Sequence, residues 1–168
     1  MFTIKKTKKF NFLLSKIQNK DILHVGCCGI VKKIEIENEK NNYLHKFLTD
    51  NSNKCYGLDI DKNEIEYLRS NGFDNLYLGN AEKIDEINFD TKFDLILLGN
   101  MFNYFPNPGI LLEKTSKQLK ENGTIIITIE NYITLKTILK YISYVFQCYS
   151  YTIVNLLISE ITKKCLNN

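Results

Sequence analysis

Metal-ligand chemistry is thinly supplied in this chain of 168 residues. Only two histidines, His24 and His45, accompany five cysteines, which are odd in number and share no C-x-x-C spacing. A zinc site and a disulfide framework are therefore not expected. Cys27 and Cys28 are adjacent, and on an extended chain neighbouring side chains point to opposite faces, which predicts no ion held between them. Acidic residues are missing from the start of the chain: Lys5, Lys6, Lys8, Lys9, Lys16 and Lys20 all precede the first acid, Asp21. A run of this kind reads as the solvated face of a basic helical arm over residues 1–20. No apolar run of signal-peptide type follows those lysines, because Asn11, Ser15 and Lys16 interrupt residues 10–17, so a cytoplasmic protein is expected. No stretch interleaves aromatic and basic residues along a strand, and nucleic acid is not an expected partner. No internal repeat is evident.

One long stretch, residues 141–159, has no formal charge at all. Four tyrosines, three serines, Gln147, Thr152 and Asn155 make it a poor solute for hydrocarbon, and Lys136, Lys140 and Glu160 bound it closely. A membrane span is not expected on those grounds, and a pair of helices facing a membrane surface or a partner is the expectation.

What is present is alternation. Residues 11–18 suit a short helix with Phe12, Leu13 and Ile17 on one side, and residues 22–25 form a buried strand ending at Gly26. Residues 31–40 read as a charged loop. Tyr43, Leu44, Phe47 and Leu48 recur at helical spacing, residues 55–60 form a second strand, and Asp61 with Glu64 three positions on starts a helix that Gly72 stops. Residues 75–78 make a third strand and residues 93–98 a fourth, apolar throughout and suited to burial on both faces. Asn107 and Pro108 open a helix expected to run through Leu111, Leu112 and Leu119 to Gly123, before a fifth strand over residues 124–129. The expected fold is α/β: a Rossmann-like, doubly wound, mostly parallel sheet of about five strands with helices on both faces. The length suits a single domain over residues 1–168, with a core over 21–131 and a helical segment over 132–168.

In such sheets a ligand lies outside the carboxyl ends of the strands. After the first strand come Gly26, Cys27, Cys28 and Gly29, where the lack of a Cβ lets backbone approach a ligand. The second strand ends at Asp59, whose carboxylate can accept both hydroxyl hydrogens of a ribose. After the third strand come Gly79, Asn80, Ala81 and Glu82, and after the fourth Asn100, Met101, Phe102, Asn103 and Tyr104. Asn80 is suited to a purine edge or to a turn, and the Met101 region to a wall between cofactor and substrate or to core packing. A glycine-rich dinucleotide fingerprint is absent: GCCGIV lacks G-x-G-x-x-G, and Asp59 lies 33 residues after Gly26 where that fingerprint expects about 20.

VGCCGI, YGLDID, GNAEKI, FDLILLGNMFNYFPNPGILLE and ENGTIIITIEN together resemble the class I S-adenosylmethionine-dependent methyltransferases over about residues 20–131. The resemblance implies S-adenosyl-L-methionine as cofactor, with Gly26, Cys27, Cys28 and Gly29 at its methionine part. It implies Asp59 and Ile60 at the ribose, Asn80, Ala81 and Glu82 at the adenine, and Asn100 on the sulfonium side. It implies methyl transfer to a small-molecule or sugar acceptor, which Tyr104 is the one nearby polar side chain to position. The family usually has an acid where His24 stands, glycine at Cys28 and Ile30, aspartate at Asn80, and often Glu-His at Asn103 and Tyr104. On this reading GCCG is a worn cofactor loop in which the cysteines serve as small residues, the alternative being a thiol activated by a helix N-terminus. The family's last two strands of seven find no counterpart after residue 131. The expectations are a homo-oligomer or a partner covering the sheet edge, and, as the alternative function, a non-catalytic module of this fold acting through that partner.

Overall fold

The computed structural model describes residues 3–29 and 43–129, with Glu35, Glu37, Leu139, Lys140 and Ser143. The expected charged loop over 31–40, apart from the helical backbone at Glu35 and Glu37, and the expected helices beyond 131, apart from that at Leu139, Lys140 and Ser143, lie outside the described residues. The chain divides into two compact units, residues 1–129 and 130–168.

In the first unit the elements run α1 (Thr3–Ile17), β1 (Asp21–Val25), α2 (Leu44–Asn51), β2 (Lys54–Asp59), α3 (Lys62–Ser70), β3 (Leu76–Leu78), a 3-10 segment (Ala81–Glu86), β4 (Phe93–Gly99), a 3-10 turn (Phe102–Tyr104), α4 (Pro108–Ser116) and β5 (Leu119–Thr128). The five strands form one sheet in the order β3-β2-β1-β4-β5, and every pairing is parallel. The order reverses between β1 and β4, so the tips of those two strands flank the crevice where ligands of such sheets bind.

Alternation along the strands sorts side chains to two faces. On one face Ile22, Cys55, Leu95 and Leu97 pack with Leu13 and Ile17 of α1 and Leu48 of α2. On the other, Leu23, Val25, Tyr56, Leu58, Ile96 and Leu98 pack with Ala81, Ile84 and Leu111. The central strands are buried nearly throughout, which their near-continuous apolar sequence requires. Phe12 departs from expectation: it is 54% exposed while Leu13 and Ile17 are buried. Helix α1 starts at Thr3 rather than residue 11, which places Lys5, Lys6, Lys8, Lys9 and Lys16 on one continuous helix.

Local caps set the boundaries. The Asp61 carboxylate accepts from the backbone N–H of Asn63 and Glu64, fixing the start of α3. Asn107 caps α4 through the Ile110 N–H, with Pro108 at the first helical position where a missing N–H costs nothing. Helix α4 is shorter than expected. It ends at Ser116, and Leu119 already pairs with Phe93 in the sheet. The register then jumps, Leu95 facing Thr124, so residues 120–123 bulge out of the ladder. Asn122 has a left-handed φ of 64°, and a Cβ on Gly123 would lie 2.9 Å from a Leu119 methyl and 3.0 Å from the Lys120 carbonyl oxygen. Gly123, which looked like a helix stop, and Asn122 are the residues that allow this bulge.

The bulge aims Lys120 at the amino-terminal end of the sheet. Its ammonium lies 2.7 Å from Asp21 and 2.9 Å from Asp94, and the Asp94 carboxylate also accepts from the Asp21 backbone N–H at 2.8 Å. The Lys120 hydrogen bond, with help from Asn53, holds the Asp21 carboxyl below its ordinary value. Burial pushes Asp94 up, but the Asp21 N–H and Lys120 outweigh it and its carboxyl is lowered too. Depressed carboxyl values stabilise the fold above the ordinary aspartate value of 3.8, and that contribution fades as pH falls through the folded values. Lys120→Met is therefore expected to lower the melting temperature at neutral pH, with the gap from the parent protein narrowing below pH 3.8. Melting curves across an acid pH series check this; a gap that does not narrow assigns the loss to packing of the bulge.

Candidate cofactor site

The site is assembled at the carboxyl ends of the strands, and its first requirement is a sharp turn. Gly26 adopts φ +73°, which an L-residue rarely takes. The chain then crosses the tip of β2: the Gly26 and Cys27 N–H groups both point at the Leu58 carbonyl, at 2.8 and 3.3 Å. The next amide, that of Cys28, donates to Asp59 Oδ2 at 2.9 Å, and Asp59 Oδ1 accepts from the Asp61 N–H at 3.1 Å. The loop after β1 and the start of α3 are thus both tied to one half-buried carboxylate. From beneath, the buried Tyr43 hydroxyl donates to the Cys27 carbonyl at 2.8 Å.

This turn changes the cysteine geometry. Gly26 turns left-handed and residues 27–29 belong to no strand, and the Cys27 and Cys28 sulfurs lie 3.8 Å apart instead of on opposite faces. Cys27 is buried against Ile65, Leu68 and Leu76. Its hydrogen bond with Cys28, its burial and the nearby Asp59 charge raise its thiol well above the usual range, so it is not the activated thiol of the alternative reading. Gly57 makes room for it: a Cβ there would stand 2.6 Å from Leu76, 2.7 Å from the Cys27 sulfur and 3.0 Å from His45.

Ile60 follows Asp59 and is 68% exposed, an apolar side chain in solvent beside the carboxylate. At the β3 tip the Gly79 N–H donates to the Asp59 carbonyl at 2.8 Å, which brings residues 80–82 alongside. Asn80 caps the 3-10 segment, its side-chain oxygen accepting from the Glu82 N–H at 2.9 Å, so the turn role is filled. Ala81 is buried, and Glu82 is exposed with its carbonyl accepting from Lys114 at 2.9 Å.

At the β4 tip Asn100 has φ +54°. Its N–H donates toward both the carbonyl and the hydroxyl of Thr128 at 3.0 Å, and that hydroxyl donates to Asn100 Oδ1 at 2.8 Å. Thr128 is the residue that sequence reasoning missed. Its signal was a hydroxyl at the end of an isoleucine run, where a strand tip meets the ligand edge. Met101 leans across the crevice: its sulfur lies 2.8 Å from where a Cβ on Gly26 would stand. Tyr104 is 82% exposed on the 3-10 turn that follows the β4 tip.

His24 and His45 fill the space below the loop. Both are buried, their rings stack at 5.4 Å, and their Nδ1 atoms are 3.3 Å apart, so a single hydrogen can sit between them. His24 occupies the position of the expected acid, with Nε2 3.0 Å from where a Cβ on Gly99 would be. His45 also faces the Cys55 sulfur at 3.7 Å, and Tyr43 and Phe73 pack edge-on or tilted against it. Burial alone lowers His45 to about 4.

These features match known proteins. A family model described as a methyltransferase domain matches residues 18–166, and the chain belongs to that family. No curated protein matches it by sequence. Among solved structures it is similar to an S-adenosylmethionine-dependent methyltransferase from Clostridium acetobutylicum, at 21% identity and TM-score 0.54, over 80% of this chain and 53% of that one. Another from Mesorhizobium loti has 15% identity and TM-score 0.55, over 74% and 53%. The plantazolicin methyltransferase BamL, solved with a triazolic desmethyl analogue and SAH, has 22% identity and TM-score 0.52, over 73% and 44%. The chain spans about half the length of the solved structures it matches. These likenesses carry the fold, that of class I methyltransferases.

The buried histidine yields a pH dependence. An unfolded histidine binds its proton near 6.5 while folded His45 binds it only near 4, so the unfolded state holds more protons between those values and stability falls as pH falls. The gap corresponds to roughly 3 kcal/mol. His45→Gln is expected to flatten the slope of unfolding free energy between those two pH values. Urea unfolding at stepped pH checks it, an unchanged slope locating the acid sensitivity elsewhere.

Proposed function

We propose that the chain binds S-adenosylmethionine across the tips of β1, β2 and β4 and passes its methyl group to a small-molecule or sugar acceptor. The observation that carries this reading is the Asp59 carboxylate. Each of its oxygens takes one backbone N–H, from Cys28 and from Asp61, which leaves each a lone pair for a further donor. A vicinal diol supplies two such donors. Exposed Ile60 offers apolar surface to one face of a flat base, and residues 80–82 stand next along the edge. Gly26 keeps the loop close to β2 with no side chain of its own in the crevice. The residues present therefore fit the nucleoside.

When bound, S-adenosylmethionine supplies an electrophilic methyl group on a sulfonium sulfur. Methyl transfer is an in-line displacement whose rate comes largely from alignment, so the chain need not supply a dedicated acid or base. Its contributions are the diol anchor at Asp59, the backbone of Gly26, Cys27, Cys28 and Gly29 at the methionine part, and Asn100, fixed by Thr128, at the sulfonium side. Tyr104 is the hydroxyl placed to orient an acceptor from solvent. BamL is a plantazolicin methyltransferase, solved with a triazolic desmethyl analogue and SAH, which agrees with a small acceptor here. The odd number of cysteines, with no C-x-x-C spacing among them, supports a cytoplasmic setting.

Asp59→Asn tests the anchor while keeping an oxygen for the Cys28 N–H. In thermal unfolding, the cofactor at about 100 times its dissociation constant is expected to add roughly 2.7 kcal/mol to the parent protein. The variant is expected to bind about a hundredfold more weakly, a loss on the order of 2 to 3 kcal/mol. Calorimetric titration giving equal affinities would refute the role of Asp59, and no thermal shift in the parent protein would refute cofactor binding.

A further inference from the structure

The loop after β1 brings together three groups that the methyl-transfer reading does not use as a set. Cys27 Sγ, Cys28 Sγ and a carboxylate oxygen of Asp59 all lie within 4.8 Å of one another, the one such group of three potential ligands among the described residues. The two sulfurs are 3.8 Å apart. Two thiolates bound tetrahedrally at metal–sulfur distances of about 2.3 Å are also separated by about 3.8 Å, so the sulfurs already stand at the edge of such a polyhedron. We infer that Cys27, Cys28 and Asp59 form a binding site for a thiophilic divalent cation of the zinc class, one that shares Asp59 with the nucleoside diol and so competes with it.

The backbone explains why adjacent cysteines can act together. The left-handed turn at Gly26 and the two amides converging on Leu58 pull residues 27 and 28 out of strand geometry. The Tyr43 hydroxyl on the Cys27 carbonyl and Asp59 on the Cys28 amide hold the pair in that form without any ion. Charge favours a cation as well. A divalent ion beside the Asp59 carboxylate displaces the thiol protons to solvent as it binds the two sulfurs. Cys28 and Asp59 are half-buried while Cys27 is buried, so the ion enters from the crevice side and its remaining position faces solvent. That open position also suits a soft ligand from solution. Cys55 is no part of the group: burial pushes its thiol up to about 12, and its sulfur faces His45.

Only the competition rests on the proposed function; the cation site does not. Cadmium is the probe, titrated alone into the reduced full-length chain at neutral pH, with thiolate-to-metal charge-transfer absorption as readout. The expected result is a band that saturates at one ion per chain and is lost in Cys28→Ser, a substitution at a half-buried position that changes little volume. Asp59→Asn is expected to weaken the ion by about tenfold or more, at least the loss seen for an outer-shell partner. Cys55→Ser is expected to leave the band unchanged. A band that persists in Cys28→Ser, or none in the parent protein, overturns the site. If S-adenosylhomocysteine binds the metal-free protein by calorimetry yet does not displace cadmium, the shared carboxylate is overturned. If it does not bind the metal-free protein at all, the failure belongs to the cofactor reading and the cation titration still decides the site.

Discussion

The Asp59 carboxylate is the joint on which the upper edge of this sheet turns. One oxygen receives the loop after β1 and the other receives the start of α3. Hydrogen bonds from backbone amides to an ionised group are about twice as strong as neutral ones, and they fix direction as well as distance. The same residue's carbonyl accepts from Gly79 and so also holds the beginning of the third loop. Three loops that are distant in sequence are thereby brought to one residue. The close approach is possible because Gly26 turns left-handed and Gly57 leaves a gap for Cys27 and His45.

The two ends of the sheet are built differently. At the amino-terminal end, opposite charges are consumed by one another: Lys120 spans Asp21 and Asp94 and ties the outer strand β5 to β1 and β4. At the carboxyl end the polar groups are only partly consumed, Asp59 and Cys28 half-buried and Ile60 exposed. Between them the buried residues among those described are apolar apart from the stacked histidines and Thr115. Part of the loop's support comes from Tyr43, which reaches the Cys27 carbonyl with a neutral hydrogen bond. No helix among the described residues is long and apolar enough to cross a membrane.

The strands were legible because β1, β2 and β4 are buried on both faces and their sequence has no alternative use. The start of α3 was legible from Asp61, whose carboxylate does what its position predicts. The end of α4 was not. Leu112 and Leu119 fit a helical stripe as well as they fit the ends of a helix and a strand, and only the pairing of Leu119 with Phe93 separates the two. The tips were legible as locations, since glycine and a carboxylate after successive strands admit few other uses. Their contacts were not, because they depend on dihedral angles. The adjacent cysteines converge only once Gly26 leaves strand geometry. Thr128 holds Asn100 only because β5 lies beside β4. Asn80 read equally as a base contact or a turn residue, and its side-chain oxygen is spent on the turn.

The central claim is that this carboxylate, already set by two backbone amides, receives a nucleoside diol. A crystal structure of the full chain grown with S-adenosylhomocysteine tests it most directly. The account predicts both ribose hydroxyls within hydrogen-bond distance of Asp59, with the Cys28 amide still on the same carboxylate. A nucleoside seated away from the β2 tip, or an Asp59 side chain turned from it into solvent, would contradict the account.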